Sequence, residues 1–303
     1  MPEVTVQVRE CASMPSPRAS AAACACLGKG YVFAGRNATK TPQNDIWEYN
    51  PTLNKWTSIS GFTGKARVKP TLCADDTALY MGLGFSGEQV YVDSCYLHDW
   101  WRYSPATGKW TRLTDCPYPN INAAVAYHVG SRIYVIYGSS KGFSRDIYWY
   151  DIPSNTWNKH EDDGHRALSG FGGCGAIGQG RCFYGTGLNT GNLKDWYEAD
   201  LSSDSWQKRT SLPGKGRELS ACCAAGDYIY VFGGRHFAGE YTGGEVFESM
   251  LRYDIGDDEW QYCGTMPYGR SENAIAFSIG GKAYFGLGED EDGIVHPNLY
   301  CIE

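Results

Sequence analysis

The chain of 303 residues has no excess of positive charge: 27 lysines and arginines face 34 aspartates and glutamates, a formal net charge of −7. A nucleic-acid surface needs a basic stripe to neutralise phosphates, and without one nucleic acid is excluded as a partner. No run of eighteen apolar residues occurs, which excludes a membrane-spanning helix and leaves no membrane partner expected. Residues 1–10, MPEVTVQVRE, carry no basic start followed by an apolar stretch, so no secretory leader is legible. The twelve cysteines include no C-x-x-C pair and are not spaced as a disulfide framework. They read as small core residues with free thiols, which points to a reducing, cytoplasmic setting. An EF-hand is missing as well: the acidic run EDEDG (289–293) would need Asp at 288, where Gly288 stands, and an acid at 299, where Leu299 stands. A hydrolase nucleophile elbow joins a strand to a helix, a setting this chain of short strands does not offer. No metal and no cofactor is expected.

What the chain has in quantity is glycine (38), tyrosine (22) and tryptophan (10), within a 42% hydrophobic composition. That mix favours many short strands joined by tight turns. Tryptophans 56, 110, 157, 206 and 260 are spaced 54, 47, 49 and 54 residues apart. Seven residues before each stands Tyr49, Tyr103, Tyr150, Ala199 or Tyr253, and the segments between (NPTLNK, SPATGK, DIPSNT, DLSSDS, DIGDDE) are hairpin-closing. Upstream of each pair an apolar strand ends in glycine: YVFAG, LYMGLG, IYVIYG, CFYGTG, IYVFGG and AYFGLG. Before that lies a stretch of small residues such as ASAAACACLG. Six units of four strands, about fifty residues each, account for the chain.

Six units begin, yet only five reach a Trp strand, because the sequence stops at NLYCIE. The missing strand is at the other end. CASMPSPR (11–18) matches CGTMPYGR (263–270) without gaps, which places Val8 in the slot of Trp260. Val4, Val6 and Val8 alternate with polar residues as in a half-buried strand, so the first strand is predicted to complete the last unit and close a ring. Blade corners are read at Arg18, Arg67, Asn120, Arg166, Arg217 and Arg270. Six residues on stand Cys24, Cys73, Ala126, Gly172, Cys223 and Ala276, small enough for the crowded innermost strands.

The fifty-residue unit, with glycine after its second strand and a Tyr–turn–Trp hairpin, resembles the kelch repeat of β-propellers along the whole chain. Only Gly233-Gly234 keeps the family's glycine doublet in full. The resemblance implies an all-β fold: a six-bladed kelch-type β-propeller, one domain over 1–303, its last blade closed by the N-terminal strand. Kelch propellers include protein-binding modules, sugar-handling enzymes and copper oxidases, so the fold alone selects no activity. The copper oxidases have seven blades and a further domain, and this chain is read with six blades and none.

Ligand contact is expected from the loops joining second to third strands (35–45, 84–95, 138–146, 187–195, 233–249, 286–298) and from the inter-blade connections. The segment 233–249 is read as the longest. Candidate ligand-binding residues are Arg217, Arg235, His236, Tyr241, Arg270 and Glu272; catalytic residues are unknown. A corner arginine can attract a carboxylate or phosphate, or simply brace its corner. His165, His236 and His296 fall in loops of the same face, where solvated imidazoles are commoner than metal ligands. Two functions follow. One is a binding module for a protein or glycan, an anionic ligand included, favoured by loop aromatics Phe85, Tyr91, Phe143, Phe237 and Tyr241. The alternative is a sugar isomerase resembling the kelch-type sialic acid mutarotases and epimerases, in which Arg217 with Glu218, or Arg270 with Glu272, would hold the carboxylate and move the proton. A monomer is expected.

Overall fold

The computed structural model describes residues 1–87, 92–118, 120–138, 146–161, 170–238 and 244–303. Each tyrosine pairs across a two-stranded ladder with its tryptophan: Tyr49 with Trp56, Tyr103 with Trp110, Tyr150 with Trp157, Tyr253 with Trp260. The turn between them supplies a partner. Tyr49, Tyr150 and Tyr253 donate their hydroxyls to Asn54, Asn155 and Asp258, each held at φ near +50°. Three of the tryptophans then reach the preceding sheet, the Trp110, Trp157 and Trp260 indoles donating to the carbonyls of Ser60, Thr114 and Thr210. The Tyr–turn–Trp hairpin thus fastens a sheet to its neighbour. The fourth repeat has Ala199 in place of tyrosine, and there Trp206 donates instead to Asp204 in its own turn.

Six antiparallel four-stranded sheets result, three in each of two compact units. The unit Ser20–Asp163 holds sheets beginning at Ala22, Thr71 and Val125. The unit formed by Met1–Ala19 and Gly164–Glu303 holds sheets beginning at Cys174, Ala221 and Ile275. In the last, Val8–Cys11 pairs with Leu299–Ile302, Val8 opposite Ile302 and Cys11 opposite Leu299. The N-terminal strand does complete the final sheet. It is shorter than the valine alternation predicts, because residues 2–4 leave it: Val4 donates to Tyr262 O and Tyr262 to Pro2 O, both at 2.9 Å, a parallel bridge to the outer strand of the fifth sheet. Val4, Val6 and Val8 pack partly buried on the core between those two sheets.

The glycine rule is sharper than the doublet. The first residue after the second strand is left-handed whatever its type: Ala34, Leu83, Tyr137, Thr186, Gly233, Leu287. The second must be glycine. At Gly234 (φ +90°) a Cβ would fall 2.2 Å from Ser220 Oγ and 2.6 Å from Glu218 O; at Gly288 it would fall 2.3 Å from Ser271 Oγ.

Corners are set by backbone, and this changes their assignment. Gly35, Gly84, Gly187, Gly234 and Gly288 donate to the carbonyls of Arg67, Ile121, Arg217, Ser271 and Arg18. The third corner is therefore Ile121 and not Asn120, and the sixth is Ser271 and not Arg270. In the fourth sheet, which starts at Cys174, the equivalent position is Gly170, and Arg166 lies outside the described residues. Six past the corrected corners stand Tyr127, Ala176 and Phe277 in place of Ala126, Gly172 and Ala276, so the expected small residue holds in four of the six sheets and not in the third and sixth. Two residues past each corner comes another left-handed residue: Ser20, Lys69, Ala123, Gly172, Leu219, Asn273. These positions chain the sheets together, Lys69 to Ser20 and Ala123 to Lys69 in one unit, Leu219 to Gly172 and Asn273 to Leu219 in the other.

Candidate functional site

Four of the candidate residues lie at one end of the fifth and sixth sheets, where chain enters first strands and leaves second strands. Glu218, one past its corner, pairs by two backbone bonds of 2.9 and 2.8 Å with Arg235, and Glu272 pairs in the same way with Glu289. These ladders set the side chains of neighbouring sheets side by side. Arg235 Nη1 lies 3.4 Å from Glu272 Oε1. Glu218, Glu272 and Glu289 are buried, and Asn273 donates to Glu289 at 3.2 Å. Glu289 opens the acidic run EDEDG (289–293); it turns inward, while Asp290 closes the turn and Glu291 lies exposed.

The loop after the fifth sheet's second strand carries a small hairpin of its own, Arg235–His236 against Glu245–Val246. Tyr241 lies outside the described residues, as do Glu240, Tyr91, Phe143 and His165. This loop, 233–248, is one residue shorter than that of the second sheet, 83–99, so it is not the longest. His236 shares a hydrogen through Nδ1 with Gly216 O at 2.8 Å. Phe237, 39% exposed, is gripped at its backbone by the Asn192 side chain, which accepts from its N–H and donates to its carbonyl. The Arg235 guanidinium lies 5.6 Å from its ring centre. The backbone of an exposed aromatic is thus anchored, beside an arginine, by loops of the fourth and fifth sheets.

Arg217 and Arg270 part company from this group. Arg270 is exposed and pairs with Glu291 at 2.7 Å. Arg217 turns inward, donating to Gly233 O at 3.0 Å and Ser249 Oγ at 2.9 Å, its guanidinium over the Phe247 ring. It is a brace. The same brace in the second sheet, Arg67, donates to Leu83 O and makes a two-pronged pair with Asp99, both arms 2.7 Å. Asp99 precedes that sheet's third strand; Ser249 fills the equivalent place in the fifth, so Arg217 has no carboxylate pair among the described residues. Burial without that charge pulls Arg217 down to about 10.

Among the described residues no group of His, Cys, Asp and Glu is arranged to hold a metal. His296 stands on the edge of Tyr268 with Asp290 at 3.9 Å, and burial lowers its pKa. A hollow of about 280 Å³ in the Ser20–Asp163 unit is lined by residues including Asp75, His128 and Ser131, none of them a candidate.

A family model described as the KLHDC2/KLHL20/DRC7 Kelch-repeats domain matches residues 4–187, and the Kelch motif matches 216–267. The chain belongs to the kelch-repeat family. Kelch-like protein 25 of Xenopus tropicalis is 23% identical to this kelch chain over 261 residues, covering 67% of the chain and 42% of that protein. The chain therefore spans less than half the length of that relative. N-acetylneuraminate epimerase of Salmonella enteritidis PT4 (strain P125109) is 31% identical over 96 residues, 31% of this chain and 24% of the enzyme. A solved structure of YjhT aligns at a TM-score of 0.79 over 96% of both chains with 15% identity. That likeness shows the fold: a kelch-type propeller of six blades, the last completed by the N-terminal strand.

Sequence reasoning named Arg235, His236, Glu272 and Phe237, which the structure places near one another, but did not name Asn192 or the inward place of Glu289. The signal for the latter was present: position three after the second strand holds Arg235 in one repeat and Glu289 in the next.

Proposed function

We propose that this kelch chain is a single-domain, monomeric binding propeller that takes a protein partner on the rim formed by Arg235, His236, Phe237 and Glu272. What carries the reading is Phe237, an exposed ring whose backbone is fixed by Asn192 and whose flank is an arginine. Rigid aromatics beside arginine are the residues that dominate binding energy at protein interfaces. Arg235 gives the partner a polar anchor, and its pairing with Glu272 orients it before contact. The variable loops add area around this anchor. Twelve free thiols fit a reducing compartment, the cytoplasm.

A glycan partner is the variant of this reading in which Arg235 meets an acidic sugar. The second reading, a sugar isomerase, draws support from the match to N-acetylneuraminate epimerase and from the Arg235–Glu272 pair, a cation beside a carboxylate. Arg217, buried as a brace, is not assigned a ligand role in either.

The test is a peptide selected by display on the immobilised chain, measured by fluorescence anisotropy against the wild type, Phe237→Ala and Arg235→Ala. Each variant should bind ten- to a hundredfold more weakly, about 1.4–2.8 kcal/mol, with a melting midpoint close to wild type. Equal binding by all three would remove the site from this rim. Faster anomer exchange of N-acetylneuraminate by NMR, lost in Glu272→Gln, would put the isomerase first.

A further inference from the structure

Arginine stands at the corners of the first, second and fifth sheets, as Arg18, Arg67 and Arg217. The place that Asp99 takes in the second sheet is held by Asp45 in the first and by Ser249 in the fifth. In the second sheet the pair is complete. Arg67 Nη1 donates to Leu83 O at 3.1 Å and to Asp99 Oδ1 at 2.7 Å, and Nη2 donates to Asp99 Oδ2 at 2.7 Å. The fifth sheet repeats only the Nη1 contacts, Arg217 donating to Gly233 O at 3.0 Å and to Ser249 Oγ at 2.9 Å. A serine offers one oxygen where an aspartate offers two. Arg217 Nη2 makes no hydrogen bond among the described residues, and the buried Nε makes none either. The residue is 4% exposed.

A guanidinium carries its donors in a fixed fork, so the second arm cannot turn to find an acceptor on its own. Each buried, charged donor left without one bears the full loss of its hydration. The Phe247 ring, 4.0 Å from the guanidinium carbon, offsets part of that loss. Glu245, the carboxylate in the field of Arg217, is already paired with Lys215 at 2.6 Å. Ser249 Oγ accepts from Nη1, which leaves its own hydroxyl hydrogen to donate. The Nη2 arm and this hydroxyl thus flank the place that Asp99 Oδ2 takes in the second sheet, and both are donors.

We propose that the fifth corner binds a small carboxylate anion, of the size of formate, on Arg217 and Ser249 where the second corner has its aspartate. A planar carboxylate matches the guanidinium fork through parallel N–H bonds, as Asp99 does on Arg67. Serine has two heavy atoms fewer than aspartate, which sets the scale of the anion. The burial of Arg217 sets its source: an ion of a few atoms reaches this corner, and an acid borne on a partner protein does not. The loop carrying Arg235 and Phe237 leaves from Gly233 and returns at Ser249, and Arg217 holds both ends. The bound anion therefore steadies the base of the proposed rim, while the site itself stands whether or not that rim takes a protein.

The test titrates the full chain with sodium formate and follows the melting midpoint and the proton line width of formate. In the wild type the midpoint should climb along a saturating curve, and the formate line should broaden. Ser249→Asp supplies the carboxylate from within. It should start from a higher midpoint, gain nothing further from formate beyond the general effect of salt, and lose the broadening; Arg217→Gln should lose it too. A third reading needs no variant: in nitrogen-labelled wild type, the Arg217 side-chain N–H signals should shift along the same curve. No broadening by the wild type, equal broadening by Ser249→Asp, or a curve followed by other side-chain signals and not by those of Arg217 would overturn the proposal.

Discussion

Asp99 lies in contact with a buried arginine, and its titration reports what a corner is worth. Burial alone would raise its pKa, yet the hydrogen bonds and charge of Arg67 hold it below the ordinary carboxylate value. A depressed native pKa stabilises the fold above the unfolded value of about 3.9 and stops doing so as pH falls through the native value. Urea midpoints measured from pH 6 downward should therefore fall for the wild type, and fall less in Asp99→Asn. Arg67→Ala, which strands the carboxylate beside an apolar pocket, should cost about 3–5 kcal/mol at neutral pH by urea unfolding. A loss under about 1 kcal/mol would mean that the corner rests on the backbone bonds of Arg67, from its N–H to Gln43 O and from Gly35 N–H to its carbonyl, and not on its side chain.

At the scale of strands and hairpins, the N-terminal segment makes two separable attachments. Removing residues 1–6 takes away the bridge to Tyr262 and two half-buried valines, and should cost about 1–3 kcal/mol by denaturant unfolding. Removing residues 1–11 takes the whole strand opposite Leu299–Ile302 and should cost several kcal/mol more, because an apolar edge is laid open. Equal losses for the two truncations would show that the strand adds nothing beyond the bridge. Both attachments concern residues whose sequence pattern was readable in part. The strand was found because its corner phrase repeats side chains; the bridge was not, since it uses only the backbone of Pro2 and Val4. The same division runs through the repeat. Tyr and Trp stand out because their O–H and N–H groups make bonds few other residues can make. The corners at Ile121 and Ser271 were misplaced by one because the fold demands a carbonyl there, and any residue provides one.

For the whole molecule, −7 of net charge and scattered acids predict no useful affinity for a polyanion. Duplex DNA at about 0.15 M salt should leave the chain unretarded in a gel at micromolar concentration; a salt-sensitive complex would contradict the sequence reading of its partners. The six-fold organisation was legible because a repeat displays its rules several times over. The candidate rim was legible only residue by residue: Arg235, Phe237 and Glu272 were named, but their neighbours were not. Asn192 and Phe237 meet across sheets 45 positions apart, and no local pattern records which loop faces which.

The pairing of Arg9 with Glu303 spans 294 positions, and this sets a timetable for biosynthesis. On the ribosome Val8–Cys11 is made long before Leu299–Ile302, its partner, at roughly 5–20 residues per second. For tens of seconds the nascent chain carries a ready strand with no mate, while the earlier sheets assemble. Other nascent copies on the same message offer equivalent edges, so neighbouring ribosomes are the nearest source of a wrong match. A gene rearranged to begin at Ala12, with residues 1–11 placed after Glu303, would deliver both strands together. It should give a higher soluble yield at elevated expression from the same set of contacts.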